Sequence, residues 1–522
     1  MSQTCDLVFD EIRQLLLALD SDGGLLTPSI YETAQVLRFC PDAFVPVDVA
    51  EWLLSQQEAD GGWGDPAAPL YRAVPTAAAI LALAQRGPHS DRSRHAIATG
   101  VEAFVRLAPH WQPPLPDDIP IAVELVLPRL LDAARRIGLS LPTKHFKALR
   151  QLGQRRRHML AHMRPAAATP PLHSWEAWGR QPARTLLDGS GGVGHCPAAT
   201  AWWLHLARKR QHLHTQLSSV RDYLAAASHG TWHGAPGIMP SAWPVQRFEL
   251  AFVLHTLLLA GLLHEPRLAD LVAPLSKRLA GMVTPHGLGF SEHFAPDGDD
   301  TAAAVAVLAA TGHRRFAAAL APFQAADHFK AYTFELHHAP TVTARGAHAL
   351  ALHGLDDRPW LDALAASQLP DGRWTGDKWN RSWLYTTAVV LHAFPDNANL
   401  AAVRAALHAL VTYQHADGGW SSLGASSLQE SAYAVLALNT QRGSPSWDAS
   451  AEATWRRAQA FLVRHFGERR RLPERLWIHK ELYTPVRIDQ AFLLSALLLV
   501  LAPEPAAQQH VPFGERPVYH GY

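Results

Sequence analysis

Apolar residues recur along the chain in alanine- and leucine-rich runs, each about as long as one helix. Clear examples are residues 76–85, 248–263, 300–311, 382–393 and 431–438. Glycine and proline gather between these runs, where they stop helices. Segments of alternating β-branched residues bounded by hairpin turns are nearly absent. The pattern therefore predicts an all-α protein.

A short motif of Gln, Asp-Gly-Gly and Trp recurs in front of several of these runs. The three strong copies span residues 57–64, 368–374 and 414–420. The Asp-Gly turn is suited to capping the next helix, while Gln and Trp fill the gap between neighbouring units. We assign Trp63, Trp374 and Trp420 to this packing. Repeats of this kind stack helical hairpins into a ring, so we expect two α/α-barrel (toroid) domains with a ligand cleft between them.

Composition narrows the class of protein. The chain has 522 residues, with 47 Lys and Arg against 46 Asp and Glu. The formal net charge of +1 lacks the excess of positive charge that is typical of nucleic-acid-binding proteins. The three cysteines form no CxxC pair. Acidic residues near the start are unlike a signal peptide, and the most apolar run, 491–502, is too short to span a bilayer. We expect a soluble, cytoplasmic protein without stable membrane insertion or a nucleic-acid partner.

The sharpest chemical feature is Asp297-Gly298-Asp299-Asp300 at the predicted start of a helix. One Asp suffices to cap a helix, and three crowded carboxylates repel one another. Crowding and burial raise a carboxyl pKa, and a carboxylic acid that stays protonated is what protonating an alkene requires. Helix capping and a calcium loop are the alternatives, although the ligand spacing of an EF-hand is missing.

The acid cluster and the repeats together resemble the class II terpene cyclases, whose DxDD motif and QW repeats they match. The similarity is to bacterial class II diterpene cyclases of the copalyl diphosphate synthase type, and it covers nearly the whole chain. Further segments match family motifs in order, with Glu32 where the family has Asp: 27–34, 120–128, 172–176, 188–190 and 196–201.

The resemblance implies a βγ architecture. Residues 1–20 would form the first helix of the β domain, 21–275 an inserted γ domain, and 276–522 the β domain with the acid motif. It also implies protonation-initiated cyclisation of geranylgeranyl diphosphate to a bicyclic, labdane-type copalyl diphosphate, with the diphosphate retained and Mg²⁺ assisting. A downstream class I terpene synthase is a possible partner. A rearranged halimane or clerodane diphosphate and a drimane product from farnesyl diphosphate remain open.

The resemblance further implies the catalytic residues. Asp299, the middle aspartate, is the general acid, and Asp297 and Asp300 hold its geometry. In plant relatives a water between a His and an Asn removes the final proton. His173 matches that His, whereas Ser241 stands in the place of the Asn, and a hydroxyl has fewer polar groups than an amide for holding water.

Substrate-binding residues follow in the same way. Lys378 and Arg157, within the run 155–157, are expected at the diphosphate, and the role of Lys480 stays open. Aromatic faces stabilise cations, so we expect the cavity to be lined by Trp243, Trp379, Trp383 and Tyr385. Metal ligands are not identified. Glu58, Asp60 and Asp65 are weak candidates, and Asp60 suits a turn better.

Three other functions compete with this one. A non-catalytic α-toroid that binds a partner has no need of three adjacent aspartates. A protein prenyltransferase subunit shares the toroid but needs a zinc site, for which Cys196 is the best-placed cysteine. A squalene-hopene-type triterpene cyclase uses the same acid motif in a longer chain with more repeats.

Overall fold

The structure, a computed structural model, describes residues 2–19, 22–115, 118–333, 338–394, 400–471 and 474–501. Within these ranges α-helices joined by loops and short 3-10 turns make up nearly all the regular structure, and the only strands form one two-stranded hairpin. The prediction of an all-α protein is confirmed. None of the described helices is long and apolar enough to cross a membrane.

Helix α1, Ser2–Leu17, opens the chain, and the next nine helices build a first barrel. They are α2 (Ile30–Phe39), α3 (Pro46–Ser55), α4 (Ala73–Arg86), α5 (Asp91–Leu107), α6 (Val123–Arg136), α7 (Lys147–Ala161), α8 (Trp175–Trp178), α9 (Pro197–Ala207) and α10 (Leu217–His229). Helices α2, α4, α6, α8 and α9 contact one another in a closed ring. The other four pack outside this ring, which gives the predicted inner and outer layers.

The remaining helices build a second barrel. They are α11 (Gln246–Leu259), α12 (Ala269–Met282), α13 (Gly298–Ala310), α14 (Pro340–Leu352), α15 (Arg358–Ala366), α16 (Trp383–Ala393), α17 (Leu400–Thr412), α18 (Leu428–Thr440), α19 (Ala449–Arg464) and α20 (Val486–Leu501), with strands β1 (Trp477–Ile478) and β2 (Leu482–Tyr483) before α20. Helices α11, α13, α14, α16, α18 and α20 close the inner ring. Every residue of α13 up to Ala309 is buried, and its alanines let neighbouring helices approach closely.

The boundary between the two barrels lies before α11 rather than at the predicted residue 275. Leu250, Leu254 and Leu257 of α11 belong to the apolar core of the second barrel. Helix α11 is apolar on nearly all sides because it closes the inner ring between α13 and α20, so it cannot lie in the first barrel. Helix α1 packs against α20 and α12, and it too belongs to the second barrel.

The recurring Gln–Trp motif makes the same contacts in all three strong copies. Gln414 donates from Nε2 to the carbonyl of Gly418 at 2.9 Å and to that of Thr454 at 3.0 Å. The indole N–H of Trp420 donates to the carbonyl of Leu410 at 2.9 Å. Corresponding bonds are made by Gln57, Trp63, Gln368 and Trp374. The glutamines therefore bond to the next outer helix, and each tryptophan bonds to the helix before its own turn.

The β1–β2 hairpin of the second barrel reaches into the first. Lys480, at its tip, lies with Nζ 2.9 Å from Glu32 Oε1 and 2.8 Å from Glu176 Oε1, and all three side chains are buried. The backbone N–H of Ile121 donates to the carbonyl of His479 at 2.8 Å. This joint gives Lys480, whose role the sequence left open, a structural part in holding the barrels together.

Candidate active site

The three aspartates lie buried at the N-terminus of α13. Asp297 is the N-cap, and its Oδ1 accepts the backbone N–H of Asp300 at 2.8 Å. Capping therefore uses one carboxylate of the three. Asp299 and Asp300 are only 6% and 3% exposed, which is rare for a carboxyl group without a cation for each. Helix capping alone does not account for the cluster.

Asp297 and Asp300 hold a proton between them. Burial and the nearby charge of Asp299 raise the pKa of Asp297 to about 7. Burial, followed by the Asp297 and Asp299 charges, raises the pKa of Asp300 well above its usual value. A hydrogen bond between the two side chains fits a protonated Asp300 that donates to Asp297. A pair that keeps a proton at neutral pH is poorly suited to calcium, which prefers ionised carboxylates.

Asp299 pairs with a buried arginine from the neighbouring helix. Arg345, on α14, donates from Nη1 to Asp299 Oδ1 at 2.6 Å and from Nη2 to the hydroxyl of Tyr385. Its guanidinium lies 4.6 Å from the ring centroid of Phe252. Burial raises the pKa of Asp299, and the Arg345 cation opposes part of that rise. Among the described residues, no hydrogen bond is made to Asp299 Oδ2.

Lys378, which is predicted to bind the diphosphate, lies near this cluster. Its positive charge lowers the pKa of Asp299, which places it within electrostatic reach of the acid. Its Nζ lies 4.8 Å from the ring centroid of Trp379 and 5.8 Å from that of Tyr332. The preceding residue, Asp377, is buried and accepts the hydroxyl of Thr341 at 2.8 Å. Lys378, in the connection before α16, and Tyr385, on α16 itself, therefore both lie near the acid.

The side chain of His173 pairs with a second histidine, His479. Its Nδ1 lies 2.8 Å from the carbonyl of Gly194, and its Nε2 is hydrogen-bonded to Nε2 of His479. Burial and the charge of Lys480 lower the pKa of His173 to about 3. Ser241 is fully buried, and its hydroxyl has no hydrogen-bond partner among the described residues. The structure thus gives His173 a histidine partner that the sequence did not predict, and the shared water stays a prediction.

Three of the predicted substrate-binding residues have contacts elsewhere. Arg157 donates to the carbonyl of Leu125 in the first barrel at 3.4 Å. Trp243 packs against Tyr223 with ring centroids 5.6 Å apart. Trp383 packs against Tyr413 in the outer layer of the second barrel, with centroids 5.5 Å apart. None of the contacts of the described residues brings these three side chains to the acid cluster.

One candidate metal ligand, Asp60, is paired with an arginine. Both carboxylate oxygens of Asp60 are 2.6 Å from the guanidinium of Arg72, which lowers the pKa of Asp60 to about 2. One group of three potential ligands, Asp327, His328 and His338, occurs in the described part of the chain. Two imidazoles suit zinc or nickel better than Mg²⁺.

Several residues of the site carry no signal in the sequence. Arg345 lies inside an alanine-rich helix, and only the closed ring of inner helices brings it to Asp299. Trp477 packs on Tyr385 with ring centroids 5.0 Å apart, although 92 positions separate the two in the chain. His479 stands next to Lys480 in the chain, but its partner His173 lies in the other barrel.

Comparisons with known proteins agree with this geometry. A family model described as the squalene-hopene cyclase C-terminal domain matches residues 338–453. The chain is 41% identical to a (+)-kolavenyl diphosphate synthase of Herpetosiphon aurantiacus, over 96% of this chain and 99% of that protein. It is 31% identical to an ent-copalyl diphosphate synthase of Streptomyces sp. strain KO-3988, over 91% and 92%.

A solved structure gives the same result. The ent-copalyl diphosphate synthase of Streptomyces platensis superposes with a TM-score of 0.77 at 29% identity, covering 95% of this chain and all of that one. Two relatives above 30% identity match over nearly their full length. The fold, the buried acid cluster and these likenesses together show that this chain belongs to the class II diterpene cyclases.

Proposed function

We propose that the protein cyclises geranylgeranyl diphosphate by transferring a proton from Asp299 Oδ2 to the terminal alkene, with the diphosphate retained. The observation that carries the proposal is the buried Asp299–Arg345 pair beside the proton-sharing pair Asp297–Asp300. Arg345 is bonded to Oδ1, so the proton of the neutral acid resides on Oδ2. That oxygen makes no bond within the described structure and is free to face an alkene.

The chemistry balances within this cluster. The π electrons of the alkene form a new C–H bond with the Asp299 proton and leave a tertiary carbocation, which the next alkenes attack to close two rings. The carboxylate that remains is stabilised by its charge-assisted bond to Arg345. The same bond makes Asp299 a stronger acid than burial alone would leave it, which a weakly basic alkene requires.

Aromatic faces near the acid supply the environment that the cation needs. Tyr385 lies next to Arg345, and the rings of Tyr433, Trp477 and Phe492 surround it with centroids 5.0 to 5.7 Å away. Such faces stabilise a cation without taking its charge. The sequence predicted Tyr385 for this role, and the other three join it through tertiary packing.

The diphosphate is proposed to lie against Lys378. The ammonium of Lys378 is near the acid but outside the cluster of aromatic rings around Tyr385. We include Mg²⁺ as the counter-ion of the substrate diphosphate, since the described residues offer no fitting set of oxygen ligands. Its divalent charge would neutralise phosphate oxygens during binding.

Two products compete. A labdane-type copalyl diphosphate follows if the proton is lost directly from the bicyclic cation. A rearranged, clerodane-type diphosphate is supported by the 41% identity to a protein named (+)-kolavenyl diphosphate synthase. We favour the rearranged product.

The purified protein incubated with geranylgeranyl diphosphate and Mg²⁺ should yield a bicyclic diphosphate, identified after dephosphorylation by mass spectrometry and chiral comparison. Asp299→Asn should lower turnover more than about a hundredfold, or ~2.7 kcal/mol of barrier, because an amide cannot deliver a proton to carbon. The control is Asp448→Asn, a change at the exposed N-cap of α19. Turnover by Asp299→Asn above a hundredth of wild type would refute the acid assignment.

A further inference from the structure

We infer that His479 is a catalytic residue: its Nδ1, in a hydrogen-bonded imidazole pair with His173, takes the proton that ends the cyclisation. The inference rests on the proposed function and names a group of that reaction which the sequence did not identify. It follows from the tautomers of the pair, from the way His479 is held, and from its place relative to the acid cluster.

The hydrogen bonds of the pair fix which nitrogen is basic. A carbonyl oxygen only accepts, so the bond to Gly194 places a proton on Nδ1 of His173 and leaves the lone pair on Nε2. The bond between the two Nε2 atoms then requires His479 to donate. The lone pair of His479 therefore lies on Nδ1. No hydrogen bond to this atom occurs among the described residues, although the imidazole is 92% buried.

Both imidazoles are neutral, as a base must be before it acts. Burial, reinforced by the Lys480 ammonium and, for His479, by its partner, lowers the pKa of both rings. A carbocation releases a proton to very weak bases, so a low pKa does not prevent this role. It keeps the lone pair available throughout the physiological pH range and lets the captured proton leave again for water.

His479 is held rigidly from both sides. Its carbonyl accepts the N–H of Ile121 at 2.8 Å, and its own N–H donates to the carbonyl of Glu481 at 3.0 Å. The next residue, Lys480, is bonded to Glu32 and Glu176 in the first barrel. A base fixed in this way favours removal of one particular proton, because the position of its lone pair does not vary.

The hairpin that carries His479 also reaches the acid cluster. Its ring lies 5.8 Å from that of Tyr483, centroid to centroid. Burial raises the pKa of Tyr483, and the charges of Asp300 and Asp299 add to this rise, so Tyr483 lies within electrostatic reach of the acid cluster. Trp477, paired with Tyr483 across the hairpin, packs on Tyr385 of the acid site. Each strand has two residues, so the hairpin is only about 7 Å long. This length is close to the width of the two fused six-membered rings of the bicyclic cation.

The step balances without another reactant. A C–H bond next to the cationic carbon breaks, and its electron pair becomes the new alkene. The proton joins the lone pair on His479 Nδ1, and the imidazolium formed shares its charge with His173 through the Nε2–Nε2 bond. Release of this proton to water and reprotonation of Asp299 restore the enzyme.

The test compares the variants His479→Phe and His173→Phe with the control His465→Phe. His465 is a suitable control because its Nδ1 also bonds a backbone carbonyl, 2.9 Å away, but it lies in the outer layer of the second barrel. In the two pair variants, geranylgeranyl diphosphate consumption should stay within about tenfold of wild type, since Asp299 is untouched. The native product should fall at least about threefold as a fraction of the total, replaced by alkene isomers or a water-captured alcohol.

An unchanged product distribution in His479→Phe would overturn the inference, even at a reduced rate, because the base determines which proton the cation loses. If wild type does not cyclise the substrate at all, the proposed function fails instead. If the variants do not fold, the inference is tested by a crystal structure of the wild type with a bicyclic ammonium diphosphate, whose nitrogen mimics the cationic carbon. The ammonium nitrogen is expected within about 4 Å of His479 Nδ1, and a position outside the reach of both imidazoles would overturn the inference.

Discussion

The aspartates of α13 show how one residue serves both folding and chemistry. Asp297 caps the helix through Oδ1, a role that any Asp or Asn performs. Its burial beside Asp299 and Asp300 raises its pKa to about 7, and this shift costs stability. The unfolded chain releases the proton near pH 4, while the folded chain keeps it until about pH 7. Folded stability therefore falls as the pH rises through this window.

Asp297→Asn should consequently stabilise the protein at pH 8 and have little effect near pH 4. The asparagine still caps the helix but does not ionise. The shift of about three pKa units sets an upper limit of about 4 kcal/mol on the gain in the free energy of unfolding at pH 8. Urea denaturation followed by circular dichroism across pH 4.5 to 8 measures it.

The matched control is Asp448→Asn, at the exposed N-cap of α19. Its pKa is lowered by bonds from Ser450 and Ala451, so this carboxylate stabilises the fold above its unfolded pKa and loses that effect as the pH falls. The control should show no gain at pH 8. A pH-independent difference between wild type and Asp297→Asn would contradict the shared proton.

At the scale of elements, the Gln–Trp motif depends on a turn that only glycine fits. Gly418 has φ +95°, and a Cβ there would lie 2.5 Å from the carbonyl oxygen of Arg457 on α19. The turn presses directly on the next outer helix, so the motif sets the spacing between repeats. The sequence showed the glycine, but the neighbouring helix comes from tertiary packing.

Gly418→Ala should therefore lower the free energy of unfolding by more than the ~1 kcal/mol usual for a left-handed alanine. The melting temperature should fall accordingly. Gly424→Ala is the control, because Gly424 has φ +84° and a Cβ there meets nothing within 4 Å. The difference between the two variants isolates the clash from the backbone strain. Equal melting temperatures by differential scanning calorimetry would show that the helix simply moves away.

At the scale of the whole molecule, the two barrels are joined by a buried ionic cluster. Lys480 from the second barrel meets Glu32 and Glu176 of the first, and its Nζ also lies 2.9 Å from the Cys196 sulfur. Burial and the neighbouring Glu176 raise the pKa of Glu32 to about 7, although Lys480 opposes this rise. The arrangement is stable only while the cation is present.

Lys480→Met should destabilise the protein by roughly 3–5 kcal/mol, because it leaves two carboxyl groups buried without a cation. It should also change the product spectrum if the histidine pair moves with the hairpin. The control is Arg13→Met, which breaks the exposed pair with Asp270 and should leave the melting temperature nearly unchanged. Adding Glu32→Gln to Lys480→Met should recover part of the loss, and no recovery would argue against charge burial as the cause.

The sequence by itself determined the local features of this protein. Helical periodicity, the Gln–Trp repeats and the order of the family motifs gave the all-α double barrel and the acid cluster at α13. These features are local because caps, turns and helix faces depend on residues close together in the chain. The sequence also pointed to Lys378 and Tyr385, and both lie near the acid cluster, while their substrate contacts stay predictions.

Only the tertiary structure decided the partners of these residues. Arg345 beside Asp299, His479 beside His173, and the position of α11 in the second ring all depend on which helices become neighbours when a barrel closes. The partners of Arg157, Trp243 and Trp383 were likewise not visible in the sequence, and their substrate contacts stay predictions. Contacts across 46 to 306 positions leave no periodic trace in a single sequence, because nothing in the local pattern specifies the distant surface that a side chain will meet.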